Sequence, residues 1–176
     1  EAVTLSFAEK AELMKQVRHF SEGRVPLMFG TGSNDTRASV ELTAKAEDLQ
    51  ADSVLVVTPY YNKPPQSGLV EHFKAVAAAT RLPVVLYNVP GRTGCNMLPE
   101  TVLTLSNIEN IVAVKEASGN LDQTMEIVRR APKGFALFSG EDALNLAIMS
   151  CGGVGAISVT ANVAPKMMKK FCDAAL

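Results

Sequence analysis

A lysine attacks a carbonyl only as the free amine, and at an ordinary pKa of ~10.4 about 0.04% of it is neutral at pH 7. Burial disfavours the ammonium form and raises that fraction. Lys115 stands in such a setting, directly after Ile111, Val112, Ala113 and Val114 and just before Glu116. Those four residues are apolar and mostly β-branched, the pattern of a strand covered on both faces. Lysine is rarely buried without a reason. Lys115 is therefore either a functional amine or a structural cation that pairs with Glu116 or reaches out to the rim.

Imine formation also needs a group to carry protons to and from the carbinolamine oxygen. The two histidines, His19 and His72, fall in helical patterns among charged or polar neighbours and read as surface residues, which leaves a tyrosine hydroxyl as the best candidate. Tyr87 closes a neighbouring apolar run. It suits that role, or that of a tyrosine with its ring in the core and its hydroxyl at the rim. Arg92 lies in the turn-rich loop Val89-Pro90-Gly91-Arg92-Thr93-Gly94, where a guanidinium either grips a carboxylate through two parallel hydrogen bonds or is simply solvated.

The elements that must position these groups repeat in order. Ser6-Phe7-Ala8-Glu9 has the form of a capping box and opens a helix ending near Gly23. A short apolar run over 26–30 follows, then a helix capped by Asn34 or Asp35 that runs to about Leu49. Strands are expected over 53–58, 83–88, 111–116, 135–139 and 153–159. A loop and an amphipathic helix follow each of them: the helix over 69–80, one with Pro99 near its start, one beginning after Asn120, one capped near 139–142 and one with Pro165 near its start. Six strands at such regular spacing predict βα units on a parallel sheet. An eight-unit barrel takes about 250 residues, so six units in this length give the density of a (β/α)8 TIM barrel with about six of its units present. A doubly wound open sheet is the competing α/β fold. No G-x-G-x-x-G follows the first strand, and polar residues gather after nearly every strand rather than at one switch point.

In a barrel the C-terminal strand ends meet at one mouth. Here they carry Thr58, Tyr60, Tyr61 and Asn62; Tyr87, Asn88 and Arg92; Lys115 and Glu116; Ser139, Gly140, Glu141 and Asp142; and Ser158, Thr160 and Asn162. The set has an amine, phenols, a guanidinium, amides and hydroxyls, and no metal-ligand cluster. Glu141 and Asp142 read most simply as acids at a helix N-terminus. Gly152-Gly153-Val154-Gly155 lacks the lysine of a phosphate-binding loop and reads as a tight helix-to-strand turn.

Composition narrows the class. The chain has 176 residues, net charge −1 and 47% hydrophobic content, enough to build a core and a single domain over 1–176. It has no basic block for nucleic acid and no apolar run near the ~18 residues of a membrane span. Cys95, Cys151 and Cys172 form no C-x-x-C pair and read as small buried apolar residues of a reducing compartment, not as metal ligands.

Four runs carry a resemblance: Val57-Thr58-Pro59-Tyr60-Tyr61-Asn62-Lys63-Pro64, Tyr87-Asn88-Val89-Pro90-Gly91-Arg92-Thr93-Gly94, Val114-Lys115-Glu116-Ala117-Ser118-Gly119-Asn120, and Gly155-Ala156-Ile157-Ser158-Val159. In order and spacing the chain resembles the pyruvate-dependent class I aldolases, the family of dihydrodipicolinate synthase and N-acetylneuraminate lyase. The resemblance implies a barrel lyase without a cofactor that condenses pyruvate with aspartate 4-semialdehyde through an imine on Lys115. It implies that Tyr87 relays protons, that Tyr61 completes the relay by reaching into a neighbouring subunit, and that Arg92 binds the semialdehyde carboxylate. Gly140 and Ile157 would line the site through backbone carbonyls. Arg92 favours the synthase branch over the neuraminate lyases, whose loop lacks that arginine. A homotetramer built as a dimer of dimers is implied, in the cytoplasm or a plastid, with no membrane or nucleic-acid partner.

The same resemblance sets Glu1 at the end of a Gly-Thr-Thr-Gly-Glu motif, so that the first two strands, their threonines and the C-terminal helices are expected to be missing from this chain. At the inhibitor site of lysine-regulated members, Asn34 and Tyr60 match, while Phe7, Lys10 and Ala38 replace the family's histidines and glutamate; weak or absent lysine feedback is expected. Two alternatives stay open: another pyruvate aldolase of the family, and a non-catalytic barrel fragment that serves in assembly or ligand binding.

Overall fold

The computed structural model describes residues 2–176; Glu1 and the motif assigned to it lie outside the described residues. Helix α1 (Phe7–Ser21) begins at the expected capping box, with the Glu9 backbone N–H donating to Ser6 Oγ at 3.3 Å and the Ser6 backbone N–H donating to the Glu9 carboxylate at 2.8 Å. This satisfies two of the N–H groups that a helix start leaves without partners. Strand β1 (Met28–Gly30) and helix α2 (Thr36–Ala44) follow, with Asp35 as the cap. Then come β2 (Ser53–Val57), α3 (Gln66–Ala78), β3 (Val84–Asn88), α4 (Pro90–Thr93), α5 (Pro99–Leu105), β4 (Ile111–Glu116), α6 (Leu121–Arg130), β5 (Ala136–Ser139), α7 (Asn145–Ser150) and α8 (Pro165–Ala175).

The strands form one parallel sheet in the order β1-β2-β3-β4-β5. Sequential order decides between the two α/β folds weighed above. A doubly wound sheet reverses direction at a switch point, whereas a barrel wall adds each strand beside the last. Six strands were expected, and five form among the described residues. The sixth run makes only the bridge Ser139↔Ala156. Val154 and Ile157 donate N–H to Leu137 and Ser139 carbonyls, and Ser139 donates to the Gly155 carbonyl, each at 2.8 to 2.9 Å. That is parallel pairing begun from one side, and the chain then turns into a 3-10 turn at Thr160–Asn162.

The two sheet faces differ. Val54, Val56, Leu86, Val114 and Leu137 pack against the helices with Leu69, Phe73 and Val76 of α3, Val102 and Leu105 of α5 and Ile127 of α6, all essentially inaccessible. Each such side chain contributes about 1.5–3 kcal/mol of burial. Across the other face, pairing sets Val57, Tyr87, Lys115 and Phe138 in one row.

Two further expectations are corrected. The 89–94 loop contains one helical turn, α4, because Pro90 presets the first helical residue and Gly94 ends the turn at φ 69°. His72 is not on the surface: it is 4% exposed on the inner face of α3, with Nδ1 2.9 Å from Thr36 Oγ1. Cys95 is buried as expected, while Cys151 and Cys172 are half-buried. No helix of the described residues is long and apolar enough to cross a membrane.

Candidate active site

Strand alternation determines which strand-end residues can meet. Tyr87 and Lys115 are direct ladder partners, and both extend from the face away from the helices. The Lys115 Nζ lies over the Tyr87 ring, 4.0 Å from its centroid. Lys115 is 9% exposed. Burial lowers its pKa most, the positive charge of Arg92 lowers it further, and Asp142 opposes both. Burial is what makes the amine a nucleophile once its proton leaves, while the ring face, which attracts the ammonium form, holds the side chain in place. The Tyr87 hydroxyl is moved the other way. Burial raises its pKa, Glu141 adds to that and Arg92 offsets part of it, so the phenol keeps its proton and is able to donate it.

The alternative pairing of Lys115 with Glu116 does not occur. Glu116 follows Lys115 on the strand, points to the helix side and is 1% exposed. Asn88, Ser139 and Thr58 are fully buried and are likewise on the helix side of their strands. None of the four belongs at the mouth, although each closes or directly follows a strand. Alternation could have shown this from sequence alone, since Tyr87 and Asn88 cannot both face the same side.

Gly140 has a steric role. A Cβ there would lie 2.8 Å from Lys115 Cε, 3.0 Å from Lys115 Cγ and 2.9 Å from Ala117 Cβ. The lysine stem passes through the space that any other residue would fill. The Gly140 N–H donates to the Glu116 carbonyl at 2.8 Å, which fixes this close approach. Ile157 is half-buried beside it, with its N–H on the Ser139 carbonyl at 2.8 Å.

Asp142 closes this side of the site. It begins the 3-10 turn Asp142–Leu144 and accepts the Thr160 N–H at 2.7 Å and the Thr160 hydroxyl at 2.8 Å. Burial works to raise its pKa, but hydrogen bonds from Ser158, Thr160 and Asn145 outweigh burial and hold it well below the usual carboxylate range. Its charge therefore persists beside Lys115.

Arg92 is exposed on α4, close enough to act on both Lys115 and Tyr87. The segment that carries Tyr60 and Tyr61 is fastened to the same turn. Tyr61 N–H donates to the Thr93 carbonyl at 3.3 Å, the Lys63 stem crosses Gly94, and Cys95 Sγ donates to the Pro64 carbonyl at 3.6 Å. Tyr61 and Lys63 take left-handed backbone conformations, φ 72° and 46°, which non-glycine residues adopt only when their surroundings impose them. Tyr61 is 87% exposed and points out of the chain rather than to Lys115. Tyr60 is half-buried, and Asn62 Nδ2 donates to the Asn34 carbonyl at 2.9 Å. Near the start of α1 the Lys45 ammonium lies 4.8 Å from the Phe7 ring centroid. The described residues hold no group of three His, Cys, Asp or Glu side chains placed to bind a metal.

The geometry thus groups Lys115, Tyr87, Gly140 and Arg92 together and leaves Tyr61 turned to solvent. Over residues 1–176 the chain matches the model of the dihydrodipicolinate synthetase family. It is 51% identical over 174 residues to a 4-hydroxy-tetrahydrodipicolinate synthase of Alkaliphilus oremlandii, covering 99% of this chain and 60% of that one. With the enzyme of the same name from Ectopseudomonas mendocina it shares 52% identity over 176 residues, again 60% of that protein. The chloride-inhibited dihydrodipicolinate synthase of Acinetobacter baumannii, solved with pyruvate, superposes at a TM-score of 0.96 with 45% identity, over 99% of this chain and 60% of that one. The Aquifex aeolicus dihydrodipicolinate synthase gives 0.94 and 44% identity, over 98% of this chain and 59% of that one. The chain spans about 60% of the length of these relatives.

Proposed function

The chain belongs to the dihydrodipicolinate synthetase family, and on that premise we propose that it carries the imine-forming site of a lyase that condenses pyruvate with L-aspartate 4-semialdehyde to 4-hydroxy-tetrahydrodipicolinate, on the route to diaminopimelate and lysine. The observation that carries the reading is the buried Lys115 amine 4.0 Å above the Tyr87 ring, with its pKa drawn down by burial and by Arg92. In this reading the free amine adds to the pyruvate ketone, and the carbinolamine oxygen takes up protons and leaves as water. The protonated imine then withdraws electrons from the methyl carbon, which gives up a proton to the relay while the C–H pair forms the C=C bond of the enamine nucleophile. Tyr87 moves the protons, helped by Tyr61, whose exposed and strained position suits a side chain that completes the site of a second copy. The pyruvate complex of the Acinetobacter baumannii relative supports pyruvate as the first substrate.

Arg92 receives the carboxylate of the semialdehyde, and Gly140 and Ile157 line the site. No metal or organic cofactor is needed, because the imine itself is the electron sink. The assembly in this reading is a cytoplasmic homotetramer, a dimer of dimers, with no membrane or nucleic-acid partner. Asn34 and Tyr60 remain as weak contacts of an inhibitor site in which Phe7, held under Lys45, Lys10 and Ala38 leave little for free lysine to bind.

The test is a condensation assay with pyruvate and either aspartate semialdehyde or a sugar aldehyde as acceptor. The semialdehyde should be preferred, Arg92→Ala should lose that preference by tenfold or more as a bidentate contact is removed (about 1.5–3 kcal/mol), and submillimolar L-lysine should inhibit little. A preference for the sugar aldehyde would place the chain with the other aldolases of the family.

A further inference from the structure

The helix side of the same two strand ends holds a polar cluster to which the reading above gives no task. Glu116 is 1% exposed and, among the described residues, forms no ion pair. A buried acid without a cation is costly unless hydrogen bonds fill its oxygens. Here they do. Oε1 accepts the Ser118 backbone N–H at 2.6 Å and Asn88 Nδ2 at 3.3 Å; Oε2 accepts Asn88 Nδ2 at 3.1 Å and Gln123 Nε2 at 3.1 Å.

The donors are fixed in turn. Asn88 Oδ1 accepts the Met97 N–H at 2.9 Å, and Asn88 Nδ2 also reaches Asn96 Oδ1 at 2.8 Å. Asn96 Nδ2 donates to Gln123 Oε1 at 3.0 Å. One closed network therefore ties the ends of β3 and β4 to the first turn of α6 and to the link before α5. A network with every member satisfied is rigid, and it specifies one arrangement of the backbones that it joins.

Its place in the ladder matters. Asn88 pairs with Glu116 one step beyond the pair Tyr87 and Lys115, so each reacting residue is followed in sequence by a member of the network. The β3–β4 register shifts between Val84 and Val85. Pairing at the start of β3 therefore does not fix the register at its end, where a slip of one residue would send Tyr87 or Lys115 to the wrong face. Strand ends are also the part of a sheet that opens most readily.

We infer that Glu116 is a positioning residue: with Asn88 and Gln123 it sets the register and direction of the two strand ends, so that the Lys115 amine stands over the Tyr87 ring. The inference deepens the imine-forming reading and rests on it for its effect on catalysis. Glu116→Gln keeps the shape but sets an NH2 group against the Asn88 or Gln123 donors. Glu116→Gln with Gln123→Glu returns an acceptor to that contact.

Two measurements decide. The first needs no substrate: limiting acetic anhydride labels the amines across neutral to alkaline pH, and peptide masses give the reactivity of Lys115 relative to exposed Lys133. In the parent the Lys115 curve should lie at lower pH than that of Lys133. In Glu116→Gln it should move toward the Lys133 curve, and the double variant should bring it back. The second is trapping of pyruvate by borohydride, expected to slow by about tenfold or more in Glu116→Gln, the scale set by small misplacements of a reacting group, with partial recovery in the double variant.

A Glu116→Gln protein with the parent's labelling curve and trapping rate overturns the inference, even if it melts lower. If the parent itself traps no pyruvate, the imine reading fails and the labelling curves alone decide for or against positioning. Should Glu116→Gln not fold, Gln123→Met removes one donor, leaves the acid in place and is judged by the same two readouts.

Discussion

Lys115 is acted on by two charges of opposite sign. After burial, which does most to make its proton easy to lose, Arg92 pushes in the same direction and Asp142 pulls against it. Arg92→Ala should therefore move the pH dependence of Lys115 labelling to higher pH, and Asp142→Asn should move it to lower pH. Acetylation of Lys115 followed across pH in both variants checks this, and shifts of the same sign would contradict it. Lys115 stands out in the sequence because a lysine at the end of an apolar strand is costly and therefore informative, and it is buried at the end of β4. Glu116 and Asn88 were legible as polar strand-end residues but not as members of a second cluster. Their position relative to Lys115 and Tyr87 assigns them to the opposite face, while the partners they find there, Gln123 and Asn96, come from a helix and a link that only the fold brings near.

At the scale of elements, His72 joins α3 to the start of α2 through Thr36, and burial lowers its pKa from 6.5 to about 4, against a smaller opposing effect of Asp35. The unfolded chain takes up this proton near pH 6.5 and the folded chain near pH 4. The contribution is thus fully present above pH 6.5 and is lost as pH falls toward 4, at a cost on the order of 3 kcal/mol. Urea unfolding from pH 7 to pH 4 should show a shallower loss of stability in His72→Asn than in the parent; equal slopes would contradict the assignment. The sequence placed His72 at the surface because its immediate neighbours are Glu71, Phe73 and Lys74, and a helix with one charged face can still bury the residue between. The helix caps at Ser6, Asp35 and Asn120 were legible because capping is local. The sixth strand, expected over 153–159, forms only a bridge at Ala156: Gly153 and Gly155 interrupt its start, and an apolar run becomes a full strand only when a ladder holds it.

At the scale of the whole molecule, the parallel alternation could be read from the recurrence of apolar runs, and sequential strand order then distinguishes a barrel wall from an open doubly wound sheet. The same wall brings Tyr87, Lys115, Gly140 and Ile157 from β3, β4 and the segments after β5 close together, while β1 borders an apolar groove of about 270 Å³ lined by Leu13, Met14, Val17, Leu27 and Phe29. This arrangement should make one amine, that of Lys115, reactive toward a ketone. Incubation with pyruvate, reduction with borohydride and peptide mass mapping reads that reactivity out. A reduced pyruvate adduct on Lys115, lost in Lys115→Ala, is the predicted result; no adduct there, or label spread over the exposed lysines, would contradict a reactive amine at Lys115.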